Sequence, residues 1–242
     1  MSPNQKGLVF VMHGLGGFKE QEHIKTFADA FKEEGFTIVC FDTTSTLGKG
    51  ESEGKYEDAT TTNYFEDLED VIKWSSAQNW YEEPFWLVGH SLGGISTILF
   101  AEKYPHKVKA LAPISTVVSG KISLESPIYE GNDILKKWQE TGWRIEESKS
   151  QPGIFKKLKW SHIEDRLKYD ILNEVNKLTM PVLLIVGDQD TSTPPKHQKI
   201  LFDRLTGEKE MHTIKGAPHT FKDKNHLAEI KAIFKSWIKK NQ

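Results

Sequence analysis

The sequence predicts an α/β protein, a mostly parallel, doubly wound sheet of about six strands with helices on both faces. Three observations carry that expectation. Short apolar runs alternate with longer amphipathic ones along most of the 242 residues. The first five of these short runs are continuously apolar, the pattern of strands covered on both sides. The stretches between them are long enough for crossover connections, which join parallel neighbours.

Taken in order, residues 7–13 (GLVFVMH) read as the first strand and 36–42 (FTIVCFD) as the second. Between them Ile24, Phe27, Ala28 and Phe31 share one helical face, and Gly35 ends that helix. Phe65, Leu68, Val71 and Ile72 repeat the spacing ahead of the third strand, 85–90 (FWLVGH). A helix signal, ISTILFAEKY, leads from there to a fourth strand at 108–115 (VKALAPIS). The fifth strand is 181–188 (PVLLIVGD) and the sixth 208–214 (EKEMHTI). Leu227, Ile230, Phe234, Trp237 and Ile238 make the closing helix amphipathic. Residues 117–172 break the rhythm. They show no clear strand, and they hold Tyr129, Trp138, Trp143, Phe155 and Trp160. A connection of that length is a functional insertion rather than a plain loop, and we expect it to lie within one domain spanning 1–242.

Composition narrows the function classes. The 32 Lys and Arg against 34 Asp and Glu give a net charge of −2, with basic residues scattered, so no footprint for a nucleic-acid backbone exists. The densest basic run, FKKLKW (155–160), reads as a solvated helix face. The single cysteine, Cys40, rules out an intrachain disulfide and reads as a small core hydrophobe. The apolar part of MSPNQKGLVFVM is too short for a signal-peptide core, and no segment approaches the about 20 apolar residues of a membrane span. The expectation is a cytoplasmic protein of a reducing compartment, of open oligomeric state.

Ligands of such sheets bind at the carboxyl ends of the strands, and four polar groups fall there. In VGHSLGG, Gly89 and Gly93 flank Ser91 two residues to either side, between a strand and a helix. A sharp strand-to-helix turn strains its central residue and presents the hydroxyl above the sheet edge. The helix that follows offers unpaired N–H groups and a positive dipole end to a developing anion. In HGLGG, at the end of the first strand, Lys19 stands where a dinucleotide fingerprint needs its third glycine. GKGESEGK likewise fails the P-loop pattern. An H-G-x-x-G segment at this place instead matches a loop that gives an N–H to an oxyanion; Leu15 would be that donor and Leu92 its companion, with His13 structural.

In VGDQDTSTPP, Asp188 and Asp190 both lie near the carboxyl end of the fifth strand. One can orient an imidazole and stabilise its protonated form, while the other caps the turn. We assign orientation to Asp190. In IKGAPHTFKD, His219 follows a Gly-Ala-Pro turn after the last strand and comes last in the order Ser, Asp, His; His212 falls inside the strand.

With HGLGG, GHSLGG, GDQD and GAPHTF in this chain order, the sequence resembles the α/β-hydrolase family, specifically its small serine esterases and lipases. GKGESEG (48–54) also looks like a loop of that family. The usual member has an eight-stranded sheet. Here the chain starts at the strand before HGLGG, so we expect about six strands, a minimal version. The insertion at 117–172 sits where the family carries a helical cap or lid, and the chain looks like the small feruloyl-type esterases.

The chemistry expected is hydrolysis of carboxylic esters through an acyl-enzyme. Ser91 attacks, His219 moves the proton, Asp190 orients His219, and the Leu15 and Leu92 N–H groups hold the oxyanion, each worth about 3 kcal/mol. Short-acyl or aryl (hydroxycinnamoyl) esters are the expected substrates, with Trp138, Trp143, Trp160, Tyr129 and Phe155 as candidate pocket walls. The alternatives are a serine peptidase or amidase on the same scaffold, or a hydrolase-shaped protein that binds without turnover. A dehalogenase or epoxide hydrolase would need Asp where Ser91 stands. His, Cys, Asp and Glu do not cluster at metal-ligand spacing, and acyl transfer of this kind needs no cofactor.

Overall fold

Alternate side chains of each strand point to opposite sides, so a strand packed on both sides must be apolar throughout. In the computed structural model, which describes residues 5–46, 50–131, 133–147 and 153–242, β1 (Leu8–Met12) does this completely. Leu8, Phe10 and Met12 enter one core, and Val9 and Val11 the other. β3 (Phe85–His90), β4 (Val108–Ile114) and β7 (Val182–Gly187) divide their side chains in the same way. With β2 (Thr37–Phe41) and β8 (Lys209–Ile214) they form a six-stranded sheet in the order β2-β1-β3-β4-β7-β8. Every pairing in it is parallel.

Helices α1 (Glu22–Glu33) and α8 (Lys224–Asn241) cover one face, through Ile24, Phe27, Phe31, Ile230, Phe234 and Trp237. Helices α2 (Thr61–Ser75), α3 (Leu92–Lys103) and α7 (Pro195–Arg204) cover the other. Thr60 caps α2 by accepting the Asn63 N–H, and Asp223 caps α8 by accepting the Asn225 N–H. Gly35, at φ +89°, ends α1. The second strand departs from expectation. Its apolar run reads as doubly covered, yet β2 is an edge strand and only half-buried along its length, with β1 its sole strand neighbour among the described residues. Cys40 lies on it, and burial pushes its thiol up to about 12.

The segment between β4 and β7 corrects a second expectation. It is not purely helical. It contains α4 (Gly120–Ser123), α5 (Ile134–Thr141), a hairpin of β5 (Trp143–Glu147) with β6 (Phe155–Lys159), and α6 (Ser161–Arg166). FKKLKW is therefore mostly a strand, not a helix face. Cross-strand pairing explains it: Glu146 opposes Lys156, and Lys159 lies over the Trp143 ring at 5.8 Å. Charges that look like a solvated helix when read along the chain become paired partners when read across the hairpin. The ends of the segment are tied together by an antiparallel bridge between Ser119 and Asp170, with Gly120 N–H donating to the Tyr169 carbonyl at 2.8 Å. Gly48 and Lys49 of the GKGESEG motif, and Asn132 and 148–152 of the insertion, lie outside the described residues. Among the described residues no helix is long and apolar enough to cross a membrane.

Phe234 joins α8 to α1, its ring 5.2 Å from that of Phe27 and 5.9 Å from that of Phe31. It is fully buried. Phe234→Ala should cost about 3–5 kcal/mol, read as a lowered urea midpoint with an unchanged slope.

Candidate active site

The chain turns abruptly from β3 into α3 at Ser91, whose φ of +56° and ψ of −112° put it in a region that non-glycine residues avoid. The turn closes because side chains are missing around it. A Cβ on Gly89 would lie 2.3 Å from the Gly93 carbonyl oxygen, and one on Gly93 would lie 2.4 Å from the His13 carbonyl oxygen. Ser91 N–H donates to the Ile114 carbonyl at 2.9 Å, which pins the turn to the end of β4.

His219 and Asp190 arrive from beyond β8 and β7. A Cβ on Gly187 would lie 2.0 Å from the Ala217 oxygen, so only glycine lets the Gly-Ala-Pro turn settle against the end of β7. His219 Nε2 then lies 2.9 Å from Ser91 Oγ, and Nδ1 lies 2.8 Å from Asp190 Oδ2. Burial pushes the Asp190 carboxyl up, but hydrogen bonds from His219 and from the Thr193 and Ser192 N–H groups outweigh it and hold it at about 2. It is thus ionised, and His219 Nδ1–H donates to it. Asp188 has the other role: it accepts the Gly216 N–H at 2.7 Å.

Two residues at this junction are absent from the sequence reading. The Thr193 hydroxyl lies 3.0 Å from Asp190 Oδ2, 3.2 Å from His219 Nδ1 and 2.8 Å from the Ser115 carbonyl, which it reaches as donor. The Asp-Thr-Ser-Thr spacing is the available signal, since an Asp that caps its own turn draws a nearby hydroxyl. His90, next to Ser91, brings Nε2 within 2.9 Å of the His219 carbonyl. Burial, then the neighbouring His23 and His219, drives its protonation far down. The neutral ring donates from Nε2 and holds the His219 loop.

The HGLGG loop packs beside the turn. Thr43 N–H donates to His13 Nε2 at 3.1 Å, so Nδ1 carries the proton and donates to the Gly14 carbonyl at 2.9 Å. Burial lowers the His13 pKa and keeps the ring neutral. His13 is thus buried and holds the HGLGG loop to the loop after β2. Leu15 and Leu92 both border the cavity at Ser91. The Leu92 N–H is in the first turn of α3, where no intrahelical acceptor exists.

Above Ser91 is a cavity of about 520 Å³. Of the five aromatic residues singled out in the insertion, Tyr129 and Trp138 line it. Trp143 and Phe155 do not; they are on the outward face of the hairpin, 37% and 59% exposed. Trp160 sits behind Trp138, the rings edge-on at 5.8 Å. The physical reason is the alternation of a strand. Trp143, Ile145 and Phe155 share one face, while Arg144, Glu146, Lys156 and Leu158 share the other and border the cavity. Among the described residues no group of three or more His, Cys, Asp or Glu is placed to hold a metal ion.

A serine on a strained strand-to-helix turn, at the carboxyl edge of a six-stranded parallel sheet and within hydrogen-bond reach of an oriented imidazole, defines the α/β-hydrolase class. The chain belongs to the Hydrolase_4 family, described as serine aminopeptidase, S33, whose pattern matches residues 3–224. It is similar to an uncharacterized 31.7 kDa protein of the traX-finO intergenic region of Escherichia coli, 25% identical over 97% of this chain and 91% of that one. It is also similar to the mitochondrial palmitoyl-protein thioesterase ABHD10 of Bos taurus, 25% identical over 90% of this chain and 68% of that one. Among solved structures, ferulic-acid-bound Est1E from Butyrivibrio proteoclasticus matches with a TM-score of 0.81. At 23% identity over 99% of this chain and 91% of that one, the likeness is one of fold.

The Asp190 geometry sets a pH dependence of stability. An unfolded Asp titrates near 3.9, and the folded value is depressed to about 2. The contribution is therefore complete above the unfolded value and is lost as pH falls through the folded one. The gap corresponds to about 2–3 kcal/mol. In urea titrations the wild type should exceed Asp190→Asn by about that amount at pH 7. The difference should close between about pH 4 and pH 2.

Proposed function

We propose that the protein is a serine hydrolase that cleaves carboxylic esters through an acyl-enzyme. One observation carries the reading: the continuous relay from Ser91 Oγ through His219 to Asp190, with contacts of 2.9 and 2.8 Å. Ser91 Oγ bonds to the ester carbonyl carbon while His219 Nε2 takes its proton. The carbonyl oxygen becomes an oxyanion, held by the Leu15 and Leu92 N–H groups. Its collapse breaks the bond to the alcohol oxygen, which leaves with the proton from His219. Water, deprotonated by the same nitrogen, then attacks the acyl-serine; the acid departs and Ser91 is restored. Asp190 keeps Nδ1 protonated and offsets the charge on the imidazolium.

Short-acyl or aryl esters fit the cavity, whose aromatic walls are Tyr129 and Trp138. The ferulic acid bound to Est1E supports an aryl acyl group. In this reading residues 117–172 act as a cap over Ser91. The lone, half-buried Cys40 fits a reducing, cytoplasmic setting. A second reading keeps the same residues and changes the leaving group. Thioesters are favoured by the similarity to ABHD10, and peptide amides by the description of the family.

Ser91→Ala should lower turnover of p-nitrophenyl butyrate about 10⁴-fold or more and abolish labelling by a fluorophosphonate. Undiminished turnover in a clean preparation overturns the assignment. Relative kcat/KM on acetyl, octanoyl and feruloyl esters, a matched thioester and an anilide ranks the leaving groups. Trp138→Ala should weaken the feruloyl ester more than the acetyl one.

A further inference from the structure

We infer that the cavity over Ser91 is built for substrates that carry a carboxylate, which Arg166 receives; this rests on the esterase reading above. The first observation is an inverted hairpin. A hairpin that roofed a purely apolar acyl site would turn its apolar face inward. Here Trp143, Ile145 and Phe155 face solvent, and Arg144, Glu146 and Lys156 border the cavity. Arg166 and Lys222 border it too, and Glu146 is the sole carboxylate among the described lining residues.

The second observation separates the two arginines. Arg144 is balanced: its Nε and Nη2 donate to Glu146 at 2.9 and 2.5 Å, and its guanidinium lies over the Tyr129 and Trp138 rings at 5.6 and 5.5 Å. Arg166 is not. It is 9% exposed, and no carboxylate among the described residues pairs with it. Its Nη2 donates to His162 Nε2, its Nη1 reaches the Tyr129 hydroxyl at 3.4 Å, and its Nε has no partner among the described residues. A guanidinium has five N–H groups, so three are left without an acceptor among the described residues.

His162 cannot supply the missing charge. Its Nδ1 donates to the Ala59 carbonyl at 2.8 Å, so Nε2 is the bare acceptor, and burial keeps the ring neutral. The neighbouring Asp165 is engaged elsewhere, accepting from Thr62 N at 2.9 Å, Thr62 Oγ1 at 2.5 Å and Lys168 Nζ at 3.1 Å. A buried guanidinium without a counter-ion is a costly arrangement in a folded protein. A site that awaits a planar anion accounts for it, because carboxylate oxygens match the guanidinium fork. Tyr129 and Trp138 beside it suit a substrate whose carboxylate is joined to an acyl chain or aryl ring.

The test uses two matched pairs of esters followed by pH-stat. Monoethyl glutarate against ethyl pentanoate places the carboxylate on the acyl side. 4-Acetoxybenzoate against 4-acetoxybenzamide places it on the leaving group. In the wild type, one anionic member should exceed its neutral partner at least tenfold in kcat/KM, chiefly through KM. Arg166→Gln should cut that ratio at least tenfold, and Arg166→Lys should restore part of it. Ratios near or below one in both pairs, or a ratio unmoved by Arg166→Gln, overturn the inference. Should Arg166→Gln not fold, the wild-type ratios and Arg166→Lys decide. Calorimetric binding of free glutarate and benzoate to Ser91→Ala is independent of turnover. One of them should bind in the Ser91→Ala background, and weaken at least tenfold when Arg166→Gln is added; no binding of either refutes the carboxylate site. Absence of all ester turnover with such binding intact would instead refute the esterase reading alone.

Discussion

The backbone at Ser91 is the constraint on which the rest of the molecule depends. A φ of +56° with ψ of −112° costs about 1–3 kcal/mol for a residue with a side chain. That strain persists because the surroundings over-determine it. β3 is locked between β1 and β4, the Ser91 N–H is tied to Ile114, and the flanking glycines let two stretches of backbone come closer than any Cβ would allow. Because the turn cannot relax, the hydroxyl and the first N–H groups of α3 stand together at the sheet edge. In the proposed reaction, an anion that forms on a carbonyl attacked there would meet donors already in place.

The partners of Ser91 come from the far half of the sheet, and polar groups hold them where apolar packing ends. Asp190 has a fully buried side chain, which by itself would favour its neutral form. Donors from Ser192, Thr193 and His219 reverse that preference. The carboxylate therefore orders the loop and the imidazole together. Behind the imidazole, His90 supports the His219 carbonyl, and His23, held at about 3 by burial, packs edge-on against His90 at 4.6 Å. Both rings stay uncharged and serve as packing and hydrogen-bonding groups behind His219.

The insertion applies the same physics to a different end. A two-stranded hairpin has two faces and one register, and the register decides which set of side chains meets the cavity. Here it turns Arg144, Glu146 and Lys156 inward and leaves Trp143, Ile145 and Phe155 outside. Trp138 is buried, with its indole N–H donating to the Leu158 carbonyl at 3.1 Å, which ties helix α5 to the hairpin. The roof of the cavity thus combines aromatic walls with guanidinium groups.

The linear sequence by itself determined the fold class, the six main strands in their order and the polar groups at the strand ends. These are properties of local pattern: two-sided burial makes a run apolar, and a sharp turn demands glycines at fixed offsets. The chain order Ser, Asp, His at the ends of β3, β7 and β8 was also legible, but that order admits Asp188 as well as Asp190; the fold is what brings Asp190 within 2.8 Å of His219. Tertiary structure alone decided the rest. The edge position of β2 depends on what fails to pair with it, which no run of residues announces. The β5–β6 hairpin rests on cross-strand partners such as Glu146 and Lys156, whose charges along the chain resemble a solvated helix. Thr193, His90 and Arg166 act through neighbours that are 26, 129 and 37 residues away, namely His219 for the first two and Tyr129 for the third. Their roles are set by proximity in space, and proximity is fixed only once the sheet brings its strand ends together.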